Sequence, residues 1–313
     1  MLSRRSFLNG VAGVGLAAAA PRAEQAAAQA PQPPRRRLII DAQVHLWKAN
    51  TLDRPWPPNT TPQLPEPFGY DKLVPMMNEA GVDRVCIVPP SWEGDRVDYA
   101  IEAAGKFPGR FGIMGRIALG NPQSATLLPT WKEQTGMLGI RVSFTYPQQY
   151  EKLSDGSLDW FWPACEKAGI PLMFNAPGRM PAYARIAERH PQLRLVADHM
   201  GLSGDIARAN MRESAIEATA ALAKYPNVSV KLSSAPMYSF EPYPWRDMMP
   251  FIRRLYDAYS PQRCHWGTDI TNSLAKATYH QRITHFTEEL PFLSEDDKDW
   301  IMGRALQARL NWA

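Results

Sequence analysis

Eight short apolar runs, each followed by an amphipathic stretch, recur along this 313-residue chain. The runs are Leu38–Leu46, Arg84–Pro89, Phe111–Ile117, Leu138–Phe144, Pro171–Asn175, Arg194–His199, Val228–Leu232 and Cys264–Asp269. Most are nearly continuous in apolar residues rather than strictly alternating, as strands buried on both faces of a parallel sheet must be. Between them lie helix-like segments such as Leu73–Ala80, Trp160–Ala168, Pro181–Arg189, Ile216–Lys224 and Met248–Tyr259. Gly or Pro marks many junctions, including Ala80-Gly81, Ala168-Gly169 and Tyr225-Pro226. Eight βα units in a chain of this length predict an α/β fold, a single-domain (β/α)8 TIM barrel spanning 31–313. A doubly wound open sheet is the rival, but it usually has fewer strands and a Gly-rich turn after the first. No such turn follows Leu38–Leu46. The last segment, Ser294–Trp312, reads as a closing helix on the barrel exterior.

Residues 1–30 read as an address. Ser3-Arg4-Arg5-Ser6-Phe7-Leu8 matches a twin-arginine export signal, Val11–Ala20 form a short apolar run, and Ala28-Gln29-Ala30 offers a cleavage site. The expected partner of this segment is the twin-arginine export machinery, and the expected location of the mature chain is periplasmic or secreted. The apolar run is too short to span a bilayer, so no stable membrane insertion is expected. With 35 Lys and Arg against 31 Asp and Glu, no basic stripe suggests a nucleic acid partner. Cys86, Cys165 and Cys264 lack metal-binding or redox spacing and cannot all pair, so buried thiols are expected.

In a barrel of this kind, chemistry gathers at the carboxyl ends of the strands. Two long connections follow strands and so lie on that face: Trp47 to Gly69, with six prolines, and Ser233 to Trp245, with Tyr238, Phe240, Tyr243 and Trp245. Asp41, Gln43 and His45 alternate along the first strand, which predicts that they project together. Asn175 ends the fifth strand, His199 the sixth and Asp269 the eighth. Arg141 lies within the fourth, where a permanent charge facing a barrel interior needs an anionic partner, either a substrate group or a structural carboxylate. Lys231 and Ser233 share a face of the seventh.

This ordered set resembles the amidohydrolase-related branch of the amidohydrolase superfamily, over essentially all of residues 38–313. The resemblance rests on Asp41-Ala42-Gln43-Val44-His45, on Asp198-His199-Met200-Gly201 and on Gly267-Thr268-Asp269. It implies a metal centre with two His on strand one, one each on strands five and six, and an Asp on strand eight. Here Gln43 replaces the first His and Asn175 stands where the strand-five His is expected. His45, His199 and Asp269 remain as three ligands, so the implied cofactor is at most one divalent ion, Zn²⁺ or Mn²⁺, or none. The similar 2-pyrone-4,6-dicarboxylate lactonase branch implies hydrolysis without a required metal. In that reading Asp269, tuned towards its working pH, activates water, and His45 and His199 stabilise the oxyanion. Arg141, Gln43, Asn175, Lys231 and Ser233 are then the substrate-binding set.

The remaining histidines are set aside. His190 sits at a helix-to-strand junction on the opposite face, His265 points inward but deep, and His280 and His285 lie on the last barrel helix. The expected activity is hydrolysis of a small cyclic ester, a carboxylated or sugar-derived lactone, on a small-molecule substrate. The alternatives are a metal-dependent non-oxidative decarboxylase of the same superfamily and a non-catalytic periplasmic small-molecule binder.

Overall fold

The computed structural model describes residues 36–313, so the expected export signal lies outside the described residues. Eight parallel strands form one sheet in sequential order. They are β1 Ile40–Val44, β2 Arg84–Ile87, β3 Phe111–Gly115, β4 Met137–Ser143, β5 Leu172–Asn175, β6 Leu195–Ala197, β7 Val228–Ser233 and β8 Cys264–Gly267. The sheet curls back on itself just past β8, where the Asp269 N–H donates to the Gln43 carbonyl at 2.9 Å. The result is a (β/α)8 TIM barrel. All eight expected strands are present, and the helices fall where the amphipathic stretches place them, as at Tyr70–Ala80, Met180–Arg189 and Met249–Tyr259. Among the described residues, no helix is long and apolar enough to cross a membrane. Cys86, Cys165 and Cys264 are buried free thiols.

The core divides by strand parity. One set of side chains, including Val85, Ile113, Ile140, Leu172 and Val230, faces outward and packs under the helices. The other set, Ile40, Cys86, Met114, Met173 and Val196, faces the barrel axis. Leu306, Leu310 and Trp312 join this inner set. The closing segment therefore caps the amino-terminal mouth of the barrel instead of lying on its exterior as expected. It runs as a helix over Glu295–Asp299, widens to a π-helical turn over Trp300–Arg304 and returns to α-helix over Ala305–Leu310. Gly303 lets this turn approach β1, since a Cβ there would sit 2.6 Å from the Leu38 carbonyl oxygen. The Arg309 guanidinium then donates to the carbonyls of Leu195 and Asn227, satisfying backbone at the base of β6 and β7.

β1 departs from simple alternation. Its register against β2 shifts between Asp41 and Val44. The Asp41 carboxylate consequently turns to β8 and the helix after it, accepting from the Thr268 N–H at 2.8 Å and the Tyr279 hydroxyl at 2.7 Å. The expectation that Asp41 projects with Gln43 and His45 is thus corrected: a bulge re-aims side chains that strict parity would keep together.

Candidate functional site

The three strands that close the barrel end in the same unusual way. His199, Ser234 and Asp269 follow β6, β7 and β8 with φ of 51°, 65° and 47°. Left-handed backbone at a non-glycine residue costs on the order of 1–3 kcal/mol and persists where the surroundings impose it. Here it turns each side chain from the strand end towards His45, which stands past the end of β1. The Nε2 of His45 lies 3.3 Å from Asp269 Oδ1, and that of His199 lies 4.0 Å from Asp269 Oδ2.

Hydrogen bonds fix how each imidazole is presented. His45 Nδ1 is 2.6 Å from the Val88 carbonyl oxygen, which can only accept, so Nδ1 carries the hydrogen. His199 Nδ1 faces the Ser233 and Ser234 hydroxyls at 2.9 and 3.1 Å, and the Ser234 hydroxyl in turn donates to Asp269 at 3.3 Å. Below them lies a buried charged layer. Lys231 Nζ pairs with Asp198 Oδ1 at 2.8 Å and donates to Gln43 Oε1 at 2.6 Å, while Arg141 Nε donates to Asp198 Oδ2 at 3.2 Å. Arg141 thus has the structural carboxylate, and it also lines the cavity above.

These contacts set the charge states. Burial works against an ionised Asp198, but Lys231 and then Arg141 outweigh it and hold the carboxyl below its usual range. Burial likewise opposes an ionised Asp269, yet the His45 contact, followed by His199 and Arg141, holds it far below the ordinary carboxylate range. This reverses the expected direction: Asp269 is not tuned up towards neutrality but kept ionised. Burial pushes the His199 imidazole down to about 4.

Above this floor opens a cavity of about 420 Å³ lined by His45, Arg116, Arg141, Asn175, His199 and Asp269, among others. A larger groove of about 630 Å³ runs along the barrel flank beside Met76 and Leu274 but meets none of the strand-end residues. Of the residues expected from sequence, Asn175 lies on the cavity wall. Gln43, Lys231 and Ser233 do not line it; they are buried beneath, where they contact the imidazoles or, for Lys231, the Gln43 amide. The long loops contribute Gln63, Met237 and Tyr238 to the wall, whereas Trp245 packs edge-on against His285.

Sequence reasoning missed Asp198, Ser234 and, most consequentially, Arg116. Arg116 directly follows β3, the same strand-end rule that located His45, and a charge closing an apolar run was its available signal. Its Nε donates to the Gly94 carbonyl at 3.0 Å, but its Nη1 is buried with no hydrogen-bond partner among the described residues. The carboxylate paired with it, Asp95, is 3.9 Å away and half exposed. Burial, and then the neighbouring Arg141 guanidinium, push Arg116 down to about 10, so it remains charged at neutral pH. Two guanidiniums that disfavour each other, one lacking a close counterion, make this wall receptive to an anion.

Does a divalent metal fit among His45, His199 and Asp269? The three donors converge, but the Gln43 amide nitrogen lies 3.1 Å from His199 Nε2 and 3.4 Å from His45 Nε2. An amide nitrogen donates and has no lone pair to give, so it meets the atoms that would bind the ion. No group of three or more His, Cys, Asp or Glu among the described residues has metal-holding geometry. The residues present do not fit a metal as arranged.

Comparison with known proteins agrees with this architecture. The chain is 28% identical over 239 residues to an L-fucono-1,5-lactonase of Burkholderia ambifaria, covering 74% of this chain and 79% of that one. It is 25% identical over 218 residues to a 4-sulfomuconolactone hydrolase of Hydrogenophaga intermedia, covering 68% and 69%. A crystal structure of an amidohydrolase from Burkholderia multivorans with bound zinc superposes with a TM-score of 0.74 at 20% identity, covering 88% of this chain and 99% of that one. The amidohydrolase family profile matches residues 40–305, and with the barrel and its strand-end cluster this identifies the chain as a hydrolase of the amidohydrolase family.

Proposed function

We propose that this chain hydrolyses a lactone bearing an anionic substituent, a carboxylate or a sulfonate. The observation that carries the reading is the Arg116–Arg141 wall beside the Asp269, His45 and His199 cluster in one cavity. Both curated relatives carry lactone hydrolysis in their names, which supports the reaction class. In the proposed step, a water held by Asp269 attacks the ring carbonyl carbon and its proton passes to the Asp269 carboxylate. Negative charge then develops on the carbonyl oxygen beside His45 and near Arg141. Collapse breaks the ring C–O bond, and the proton held on Asp269 passes to the departing ring oxygen, leaving a hydroxy acid. Asp269 is ionised and so free to take that proton at neutral pH, and its low proton affinity favours handing the proton on to the ring oxygen.

The test is a substrate panel: ring lactones with a carboxylate or sulfonate, neutral sugar lactones, and aromatic acids assayed for CO₂ release. Arg116→Met should raise KM for the anionic lactones about tenfold or more, since a charge-assisted contact contributes ~1.5–3 kcal/mol. Its kcat should change little, because the contact is made equally in the ground and transition states. Faster turnover of neutral sugar lactones, indifferent to Arg116, would refute the anionic class while leaving lactone hydrolysis standing. Release of CO₂ from an aromatic acid without lactonase activity would replace the reading with decarboxylation.

A further inference from the structure

We infer that the Gln43 amide, locked in place by Lys231, substitutes in this chain for a metal ion between the two imidazoles. The orientation of the amide follows from its partners. An ammonium can only donate, so the atom 2.6 Å from Lys231 Nζ is the amide oxygen. The amide nitrogen is therefore the atom facing His199 Nε2 at 3.1 Å and His45 Nε2 at 3.4 Å. His199 accepts there, which leaves its Nδ1 to donate to Ser233 or Ser234. His45 is anchored through Nδ1 on the Val88 carbonyl. Both rings thus turn Nε2 to the shared gap with the other nitrogen tied back, the arrangement metal-binding imidazoles adopt. On the His199 side the gap is met by the amide N–H instead of a cation.

Charge points the same way. The floor and wall hold Lys231, Arg141 and Arg116 against the carboxylates Asp198 and Asp269 and the half-exposed Asp95. Charges are already matched there without a dication, and Lys231 occupies the carboxylate Asp198 that would otherwise be free to balance one. Lys231 has no exposed surface, and burying an ammonium is costly unless it is closely paired. Its two partners are Asp198 and the Gln43 oxygen. Lys231 is accordingly a positioning residue: it reaches the imidazoles through the amide and never meets the cavity. The inference is independent of which substrate the cavity takes.

Zinc titration of the full chain tests it, followed by calorimetry and by the thermal midpoint. The wild-type chain should show no saturable binding and no rise in Tm with added zinc. Gln43→His places an imidazole in the gap in place of the amide, and it should bind one equivalent of zinc, with a Tm that climbs with zinc concentration by mass action. Lys231→Met releases the amide oxygen, so the ¹⁵N resonance of His199 Nε2 should move as its donor is lost. A purely structural Lys231 would lower Tm and leave that resonance in place. One equivalent of tightly held zinc in the dialysed wild-type protein would overturn the inference. So would a folded Gln43→His variant that binds zinc no better than wild type. Should that variant fail to fold, the wild-type titration and the Lys231→Met resonance decide the matter alone.

Discussion

The two mouths of the barrel are built from the same eight strands to opposite ends. At the amino-terminal mouth, Leu306, Leu310 and Trp312 plug the interior against Ile40, Met114 and Val196, and the Arg309 guanidinium is tied to backbone carbonyls. At the carboxyl-terminal mouth, His199, Ser234 and Asp269 hold left-handed backbone, and a cavity of about 420 Å³ stays open over ionised groups. One end is packed shut; the other gathers left-handed backbone and ionised side chains around an open cavity, where this fold keeps its chemistry. The comparison makes a sharp claim: changes at the upper mouth should alter turnover, and changes at the lower mouth should alter stability.

The largest effect is expected from Asp269→Asn. Asn keeps the size and can still hydrogen-bond, but it cannot take a proton from water. Loss of a general base lowers kcat by ~10²–10⁴-fold, and KM should stay close to wild type. Steady-state kinetics on the substrate found by the lactone panel check this. Wild-type kcat in Asp269→Asn would mean that the ionised carboxylate is not the base and that the upper mouth's strain serves something else.

Much of this division was legible in the chain. The eight apolar runs located every strand, because a parallel sheet buried on both faces leaves a continuous apolar signature. His45, His199 and Asp269 were found because they match the amidohydrolase pattern at strand ends, where this fold exposes side chains. What parity misread was Asp41, since the register shift in β1 is a backbone irregularity with no mark in residue type. Gln43, Lys231 and Ser233 were placed on the right strands but at the wrong depth: sequence tells which face a residue takes, not how far below the cavity floor it sits. Arg116 was passed over because its importance depends on what it lacks, a close counterion, and that is a property of the assembled wall. The closing segment has the composition of a surface helix, and only its contact with inward-facing Met114 and Val196 reveals a plug.

The next effect concerns acid. His265 is wholly buried with neither ring nitrogen hydrogen-bonded among the described residues, and burial holds it well below its usual range. His285, on the helix Tyr279–Thr287, is held by burial at about 4. In the unfolded chain both bind a proton near pH 6.5. Below that pH the unfolded state binds more protons than the folded one, so stability is full above ~6.5 and falls as pH drops towards ~4. With His199, which burial likewise holds at about 4, three protons correspond to roughly 4 kcal/mol lost per pH unit in that window. Urea midpoints measured from pH 7 to 4.5 should follow this slope, and His265→Leu should reduce it by about a third without changing kcat at pH 7. A fall in kcat with an unchanged slope would place His265 with the upper mouth and break the division.

The smallest effect separates strain that works from strain that does not. Ser260 connects the helix Met249–Tyr259 to β8 at the lower mouth, with φ 61° and ψ 160°. That region is essentially reserved for glycine and costs on the order of 1 kcal/mol or more for other residues. The Ser260 side chain is exposed and makes none of the hydrogen bonds described for the site. Ser260→Gly should relieve the strain, offset in part by the greater freedom of glycine in the unfolded chain. The net expectation is a gain of about 0.5–1 kcal/mol, seen as a Tm rise of roughly 1–3 °C, with kcat and KM unchanged. Ser234→Gly relieves comparable strain at the upper mouth, but it removes the hydroxyl that joins His199 to Asp269. Its kcat should therefore fall whatever its Tm does. If both glycine variants kept full activity, left-handed backbone at the strand ends would be incidental to catalysis, and the contrast between the two mouths would rest on charge alone.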